Sequence, residues 1–104
     1  MIARLRRADP RSFSGPNVRE LLSQPVVFKV KAGPVAQNRF AVIVPKRVEK
    51  TSVARHRIKR VLLASLLAWP PANIDCLAVV RRPASEDDYR ASAARALEDI
   101  TKHP

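Results

Sequence analysis

The chain has 104 residues, enough for one domain with a modest core and too few for two. Its 20 Lys and Arg against 9 Asp and Glu leave a formal charge of +11, far more than solubility needs, so the compact state repels itself unless a polyanion is at hand. The single cysteine, Cys76, excludes an internal disulfide and a paired-cysteine metal site and fits a reducing cytoplasm, and no apolar run approaches the roughly 18 residues of a membrane span.

The opening residues carry Arg4, Arg6, Arg7 and Arg11, interrupted by Pro10. They predict a basic, loosely ordered arm over residues 1–12, and with no apolar stretch behind the cations no signal peptide is expected. "SGPNVRELLSQP", residues 14–25, predicts a short helix: a Ser or Gly cap, Pro16 near the first helical position, Val18, Leu21 and Leu22 as its apolar face, and Pro25 as the stop. "VVFKVKAG" alternates Phe28 and Val30 with Lys29 and Lys31, the period of a half-buried strand that ends at Gly33-Pro34. "RFAVIVP" reads as a second strand closed by Pro45.

A long helix then runs from a Thr51 or Ser52 cap to Trp69 and is stopped by Pro70-Pro71. "NIDCLAVVRRP" is nearly continuously apolar, as expected of a strand covered on both faces, with Cys76 as a small core residue. "SEDDYRASAARALEDITK" closes the chain as a helix with Ser85 and Asp88 at capping-box spacing and Tyr89, Ala93, Ala96, Leu97 and Ile100 on one face. His103 falls in the tail and is expected to be solvated. The architecture predicted is a single α+β domain over residues 1–104, a small sheet with helices packed against it.

The long helix begins "TSVARHRIKR", with Arg55, His56, Arg57, Lys59 and Arg60 in its first turns. At about 100° per residue, Ile58, Val61, Leu62, Ser65 and Trp69 share the sector that faces the core, and the cations wrap the other sides. Cations at a helix N-terminus oppose the macrodipole, and the Arg55/Lys59 pair repels at i,i+4, each by a few tenths of a kcal/mol. A charge run is ordinarily a solvated face of mixed sign. Here seven cations stand against the single acid Glu49 between Lys46 and Arg60, five of the nine acids are gathered in the last helix, and Lys29 and Lys31 add cations to one strand face.

Such segregation points to a polyanion, and with 14 of the 20 cations Arg the partner is better matched to phosphate. A membrane surface is disfavoured because the apolar stripe is needed for the core, and duplex DNA because no helix-turn-helix spacing precedes the helix. Structured RNA gripped through its phosphates fits best. No paired carboxylates, no Ser/His/Asp or Cys/His set and no metal-ligand cluster stand at workable spacing, and two glycines leave no Gly-rich phosphate loop, so no catalytic residue is assigned.

The run "FAVIVPKRVEKTSVARHRIKR" resembles the bacterial ribonuclease P protein subunit, whose hallmark is a strand, a Lys pair, a loop and an Arg-Asn-Arg segment followed by Ile-Lys-Arg. "DCLAVVRRPASEDDY" is similar to the family's last strand and its Arg-x-Pro-Ala-Ser turn, and Phe13 and Phe28 are similar to aromatics near its N-terminus and in its first strand. The resemblance implies a further short strand early in the sheet and a left-handed crossover between the strands on either side of the long helix. It also implies a function: helping a catalytic RNA, which holds the Mg²⁺, to remove the 5′ leader of precursor tRNA, with no bond broken by the protein. On that basis Lys46, Arg47, Arg57 and Arg60 are expected to contact the catalytic RNA, and Arg55, His56, Lys59, Lys29 and Lys31 to line a cleft for the leader. Phe28 and Phe13 would offer base stacking there, with core packing as the alternative for each. His56 departs from the family's Asn, and Leu63 stands where an Arg is usual, with Leu67 a turn on, so these leucines are either covered by the last helix or exposed as a patch. A ribosomal or other structural RNA-binding protein on a similar sandwich is the alternative reading; neither DNA nor membrane is expected as a partner.

Overall fold

The structure is a computed structural model that describes residues 7–13, 15, 17–33 and 37–102. Arg4, Arg6, Ser14, Pro16, Pro34 and His103, which enter the sequence reading, lie outside the described residues. After a 3-10 turn at Pro10–Ser12 come β1 (Arg19–Ser23), β2 (Val26–Ala32), β3 (Arg39–Ile43), α1 (Ser52–Leu67), β4 (Ile74–Val80) and α2 (Glu86–Lys102). The four strands form one mixed sheet in the order β1-β2-β4-β3. β1 with β2 and β2 with β4 are antiparallel, β3 with β4 is parallel, and α1 makes the crossover between that parallel pair. The α+β class expected from the sequence is the class observed.

The helix predicted over residues 14–25 is not there; Arg19–Ser23 is a strand. Val18, Leu21 and Leu22 fit helical spacing, but the burial alternates along β1: Leu21 and Ser23 are buried while Glu20 and Leu22 are exposed. Pro25, read as a helix stop, sits instead in the tight turn that returns the chain as β2, with Ser23 opposite Val26. Pairing with β2 overrode a weak local preference, as short apolar segments allow. β1 is the extra early strand that the family resemblance implied.

One face of the sheet, with Phe28, Val30, Phe40, Cys76 and Ala78, packs against α1 and α2. α1 contributes Ile58, Leu62 and Leu66, and α2 contributes Tyr89, Ala93 and Ala96. Each fully buried large side chain of this set is worth about 1.5–3 kcal/mol. Trp69 lies just beyond the end of α1, its ring 6.3 Å from Phe28 and 6.1 Å, edge-on, from Phe40. The inward sector of α1 is thus centred on Leu62 between Ile58 and Leu66, while Ser65 turns its hydroxyl back to the Val61 carbonyl.

Three polar devices fix the connections. Asp75, fully buried, receives two hydrogen bonds from Arg39, at 2.8 and 2.6 Å, and the two residues are directly opposed in the parallel β3–β4 register. Buried Asn38 donates to the Pro70 carbonyl and accepts from the Ala72 and Ile74 N–H groups, which stitches the α1–β4 connection to the start of β3. The Tyr89 hydroxyl donates to the Arg82 carbonyl and accepts from the Ala84 N–H, fixing the turn that leads from β4 into α2.

The other face carries Lys29 and Lys31 on β2, alternating with the core residues Phe28 and Val30. It is partly covered by the N-terminal segment, where Ala8 and Phe13 pack on Leu77 with Val18 at the margin. Residues 1–6 of the expected loose arm lie outside the described residues, but Arg7 to Ser12 are docked. The Ala8 N–H donates to the Phe40 carbonyl at 2.9 Å, Arg7 forms a parallel bridge with Phe40, and Asp9 caps the 3-10 turn.

Candidate nucleic-acid interface

α1 starts at the end of the sheet where β3 and β4 finish, because β3 leads directly into it. Its Thr51 cap accepts from the Ala54 N–H at 3.2 Å, and there is no acid in the first turn to answer the helix dipole. Arg55, at the fourth helical position, folds back instead: its guanidinium donates to the Glu49 and Lys50 carbonyls at 3.0 and 2.9 Å and to the Ser52 hydroxyl. That arginine holds the β3–α1 loop, so the expectation that it lines the leader cleft is corrected.

The next cations along α1 divide by helical position. His56, Lys59, Leu63 and Leu67, at spacings of three and four, and Arg60 beside Lys59 turn one face toward the outer edge of β3. Between that face and the edge lies a cleft of about 910 Å³. The half near the start of α1 is basic, while Leu63, Leu67, Phe40 and Val42 make the other half apolar. Leu63 and Leu67 are therefore neither a separate patch nor covered outright; they are partly buried against the core and form the cleft wall. Arg57 lies outside the cleft lining, exposed to solvent. Arg60, assigned from the sequence to the catalytic-RNA surface, lines the cleft as well.

The two aromatic stacking assignments do not survive. Phe28 is wholly buried and packs on Trp69, which leaves no ring face for a base. Phe13 is 6% exposed and wedged beside Leu77, with the Lys31 ammonium 5.1 Å from its ring centroid. That same ammonium donates to the Ser12 carbonyl at 2.9 Å. Lys31 thus secures the N-terminal segment, and neither it nor Lys29 lies among the residues lining the cleft. Core packing, the alternative for both rings, is what the sequence could not choose, because an aromatic at a strand position looks the same in either role.

Charge is distributed unevenly over the surface. The ion pairs are Arg19–Asp99, Arg39–Asp75, Arg90 with Glu86 and Asp87, and Lys102–Glu98. Among the described residues, Lys46, Arg47, Arg57, Lys59 and Arg60 meet no carboxylate. Five of the nine acids are engaged in those pairs and only Glu49 stands among the cations from Lys46 to Arg60, so the head of α1 carries an excess of positive charge, the arrangement that draws in a polyanion. Among the lining residues that sequence reasoning did not assign to the cleft are Arg7 and Val53. Arg7 was visible only as part of a basic arm; Val53, 67% exposed on the first turn of α1, gave no signal.

Among the described residues no group of His, Cys, Asp and Glu is placed to hold a metal ion, and no helix is long and apolar enough to cross a membrane. Mg²⁺ takes oxygen donors in near-octahedral geometry. A cleft lined by cations and carbon does not offer them, so no Mg²⁺ site fits there.

A mixed four-stranded sheet backed by two helices, with a basic helix start beside a cleft, places the chain among α+β proteins whose charge suits a polyanion. The Ribonuclease P family model matches residues 12–103. The chain belongs to that family, as a protein subunit of ribonuclease P, the enzyme of tRNA 5′ maturation, and association with the ribonuclease P RNA comes with membership. Solved structures share its fold. The Thermotoga maritima RNase P protein superposes with a TM-score of 0.69 at 14% identity, over 80% of this chain and 84% of that one. One Staphylococcus aureus RNase P protein structure gives 0.65 at 17% identity over 82% of each chain. Another from the same organism gives 0.62 at 18%, over 98% of this chain and 91% of that one. No curated protein sequence matches the chain.

Proposed function

We propose that this subunit binds the catalytic RNA through the exposed cations at the head of α1 and in the preceding loop, Lys46, Arg47 and Arg57, and guides the 5′ leader of precursor tRNA along the cleft, where Lys59, His56 and Arg60 meet its phosphates. The observation that supports this reading is that these Lys and Arg side chains meet no carboxylate among the described residues, while five of the nine acids pair elsewhere. The repulsion built into α1 is offset when phosphates bind. The cleft joins cations to an apolar wall of Leu63, Leu67 and Val42, which suits a single strand that offers both phosphates and unstacked bases. The chemistry belongs to the RNA and to Mg²⁺ held by it; the chain supplies charge and position in the cytoplasm. The experiment is cleavage of precursor tRNA by the cognate catalytic RNA at low Mg²⁺, with and without this chain. Stimulation is expected. Its absence would leave an RNA-binding protein with no part in turnover.

A further inference from the structure

The family match begins at residue 12, so membership assigns nothing to the residues before it. Yet the N-terminal segment forms part of the cleft: Arg7, Ala8 and Pro10 line it together with α1 and β3. We infer that Arg7 is a leader-binding residue, held on the sheet side of the cleft so that a single-stranded RNA is contacted by cations from two separate segments, Arg7 on one and Lys59 with Arg60 on α1. This inference rests on the cleft being the leader site.

The argument is first one of backbone position. β3 is the edge strand of the sheet, so its outer side is free to take another segment. Arg7 pairs with Phe40 there in parallel, and the Ala8 N–H donates to the Phe40 carbonyl at 2.9 Å. Five residues further on, Phe13 is buried against Leu77 under the Lys31 ammonium, and that ammonium bonds the Ser12 carbonyl. The segment is thus anchored on both sides of the 3-10 turn, which fixes the backbone that carries Arg7 and limits the entropy lost when its side chain engages a phosphate.

The second argument is charge. Arg7 is exposed and meets no carboxylate among the described residues. The cleft lining contains Arg7, His56, Lys59 and Arg60 and no acid, so these cations meet no carboxylate in the lining. Guanidinium and ammonium groups reaching one narrow cleft from two segments can contact successive phosphates of an extended strand, which a single helix face does less well.

The test uses the assembled holoenzyme and two substrates, a precursor tRNA with a leader of several nucleotides and the mature tRNA. Arg7→Ala is expected to weaken binding of the leader-bearing substrate roughly three- to tenfold and to reduce its log–log salt slope by about 0.7, the value for one single-strand phosphate contact, with mature tRNA unchanged. R7E should deepen the loss on the same substrate alone. Ala8→Pro, which removes the N–H bonded to Phe40, should release the segment and give part of the same leader-specific effect. Equal losses on both substrates, or no loss on either, would overturn the role of Arg7. Lys59→Ala is the control for the underlying reading: if it also leaves leader-dependent binding untouched, the cleft itself is not the leader site; if it alone weakens that binding, only the inference about Arg7 fails.

Discussion

The two helices of this protein handle charge in opposite ways. α2 begins with Glu86, Asp87 and Asp88 at its N-terminus, pairs Arg90 with the first two, and ends with Lys102 bonded to Glu98 and Asp99 bonded to Arg19. Acids at the head and a cation at the tail agree with the helix dipole, and the i,i+4 pairs agree with the helix repeat. α1 carries four cations, Arg55, Arg57, Lys59 and Arg60, and no acid, and none of the four meets a carboxylate among the described residues. The same chain therefore gathers acids in α2, where they serve the fold, and places none in α1. Electrostatics within one small domain can be divided between stability and recognition, and the division is read from where carboxylates are absent.

Substitutions can break this contrast or sharpen it. The fold-serving extreme is the Arg39–Asp75 pair, in which Asp75 has no exposure and depends on one guanidinium. Arg39→Ala leaves that carboxylate buried and alone, and a loss of about 3–5 kcal/mol in urea-unfolding free energy is expected. A loss below about 1 kcal/mol would show that water reaches Asp75 and that the pair is dispensable. Next in size is the recognition side. Arg47→Ala with Arg57→Ala should leave the unfolding free energy within about 0.5 kcal/mol of the parent. The same double substitution should reduce affinity for the catalytic RNA and flatten its log–log salt slope by about 1.8, two phosphates at 0.9 each. A salt slope that does not change removes both arginines from the interface.

Smaller effects sharpen the α2 side. Arg90→Ala removes an exposed pairing and should cost about 0.3–0.5 kcal/mol with no change in RNA affinity; an RNA defect would mean that α2 also faces the partner. The smallest expected signal is chemical. Burial pushes the Cys76 thiol well above the ordinary thiol range, and the nearby Asp75 charge adds to the shift. A raised value keeps the thiol protonated and unreactive as pH rises, so alkylation at pH 9 should be slow in the folded protein and fast in denaturant. Rapid alkylation of the native chain would show that β4 opens readily.

Much of this was legible in the residues themselves. α1 starts where Thr51 was expected to cap it, Pro70-Pro71 lies beyond its end, and β2, β3, β4 and α2 fall where apolar period and turn residues put them, because each of those signals is local. The segment from Arg19 to Ser23 holds only two apolar residues, the adjacent Leu21 and Leu22, which set neither a helical nor a strand period, and a partner strand decided between them. Arg55 and Arg57 are two residues apart in the sequence and similar in every compositional measure. One is spent on the Glu49 and Lys50 carbonyls and the other is exposed and meets no carboxylate among the described residues, a difference set by how the loop from β3 returns to the helix.

The sequence by itself determined the class of fold, the excess of cations and their concentration at the start of one helix, since these follow from spacing along the chain and from counting charges. Only the tertiary structure decided which cations remain available, that Phe13 and Phe28 are packing rather than platform, and that the N-terminal segment comes to the cleft through the open edge of β3. The physical reason is that burial, ion pairing and cleft lining are relations between residues far apart in the chain. A side chain's charge or ring is fixed by its identity, but whether it is spent inside the molecule or left for a partner depends on what the fold brings beside it.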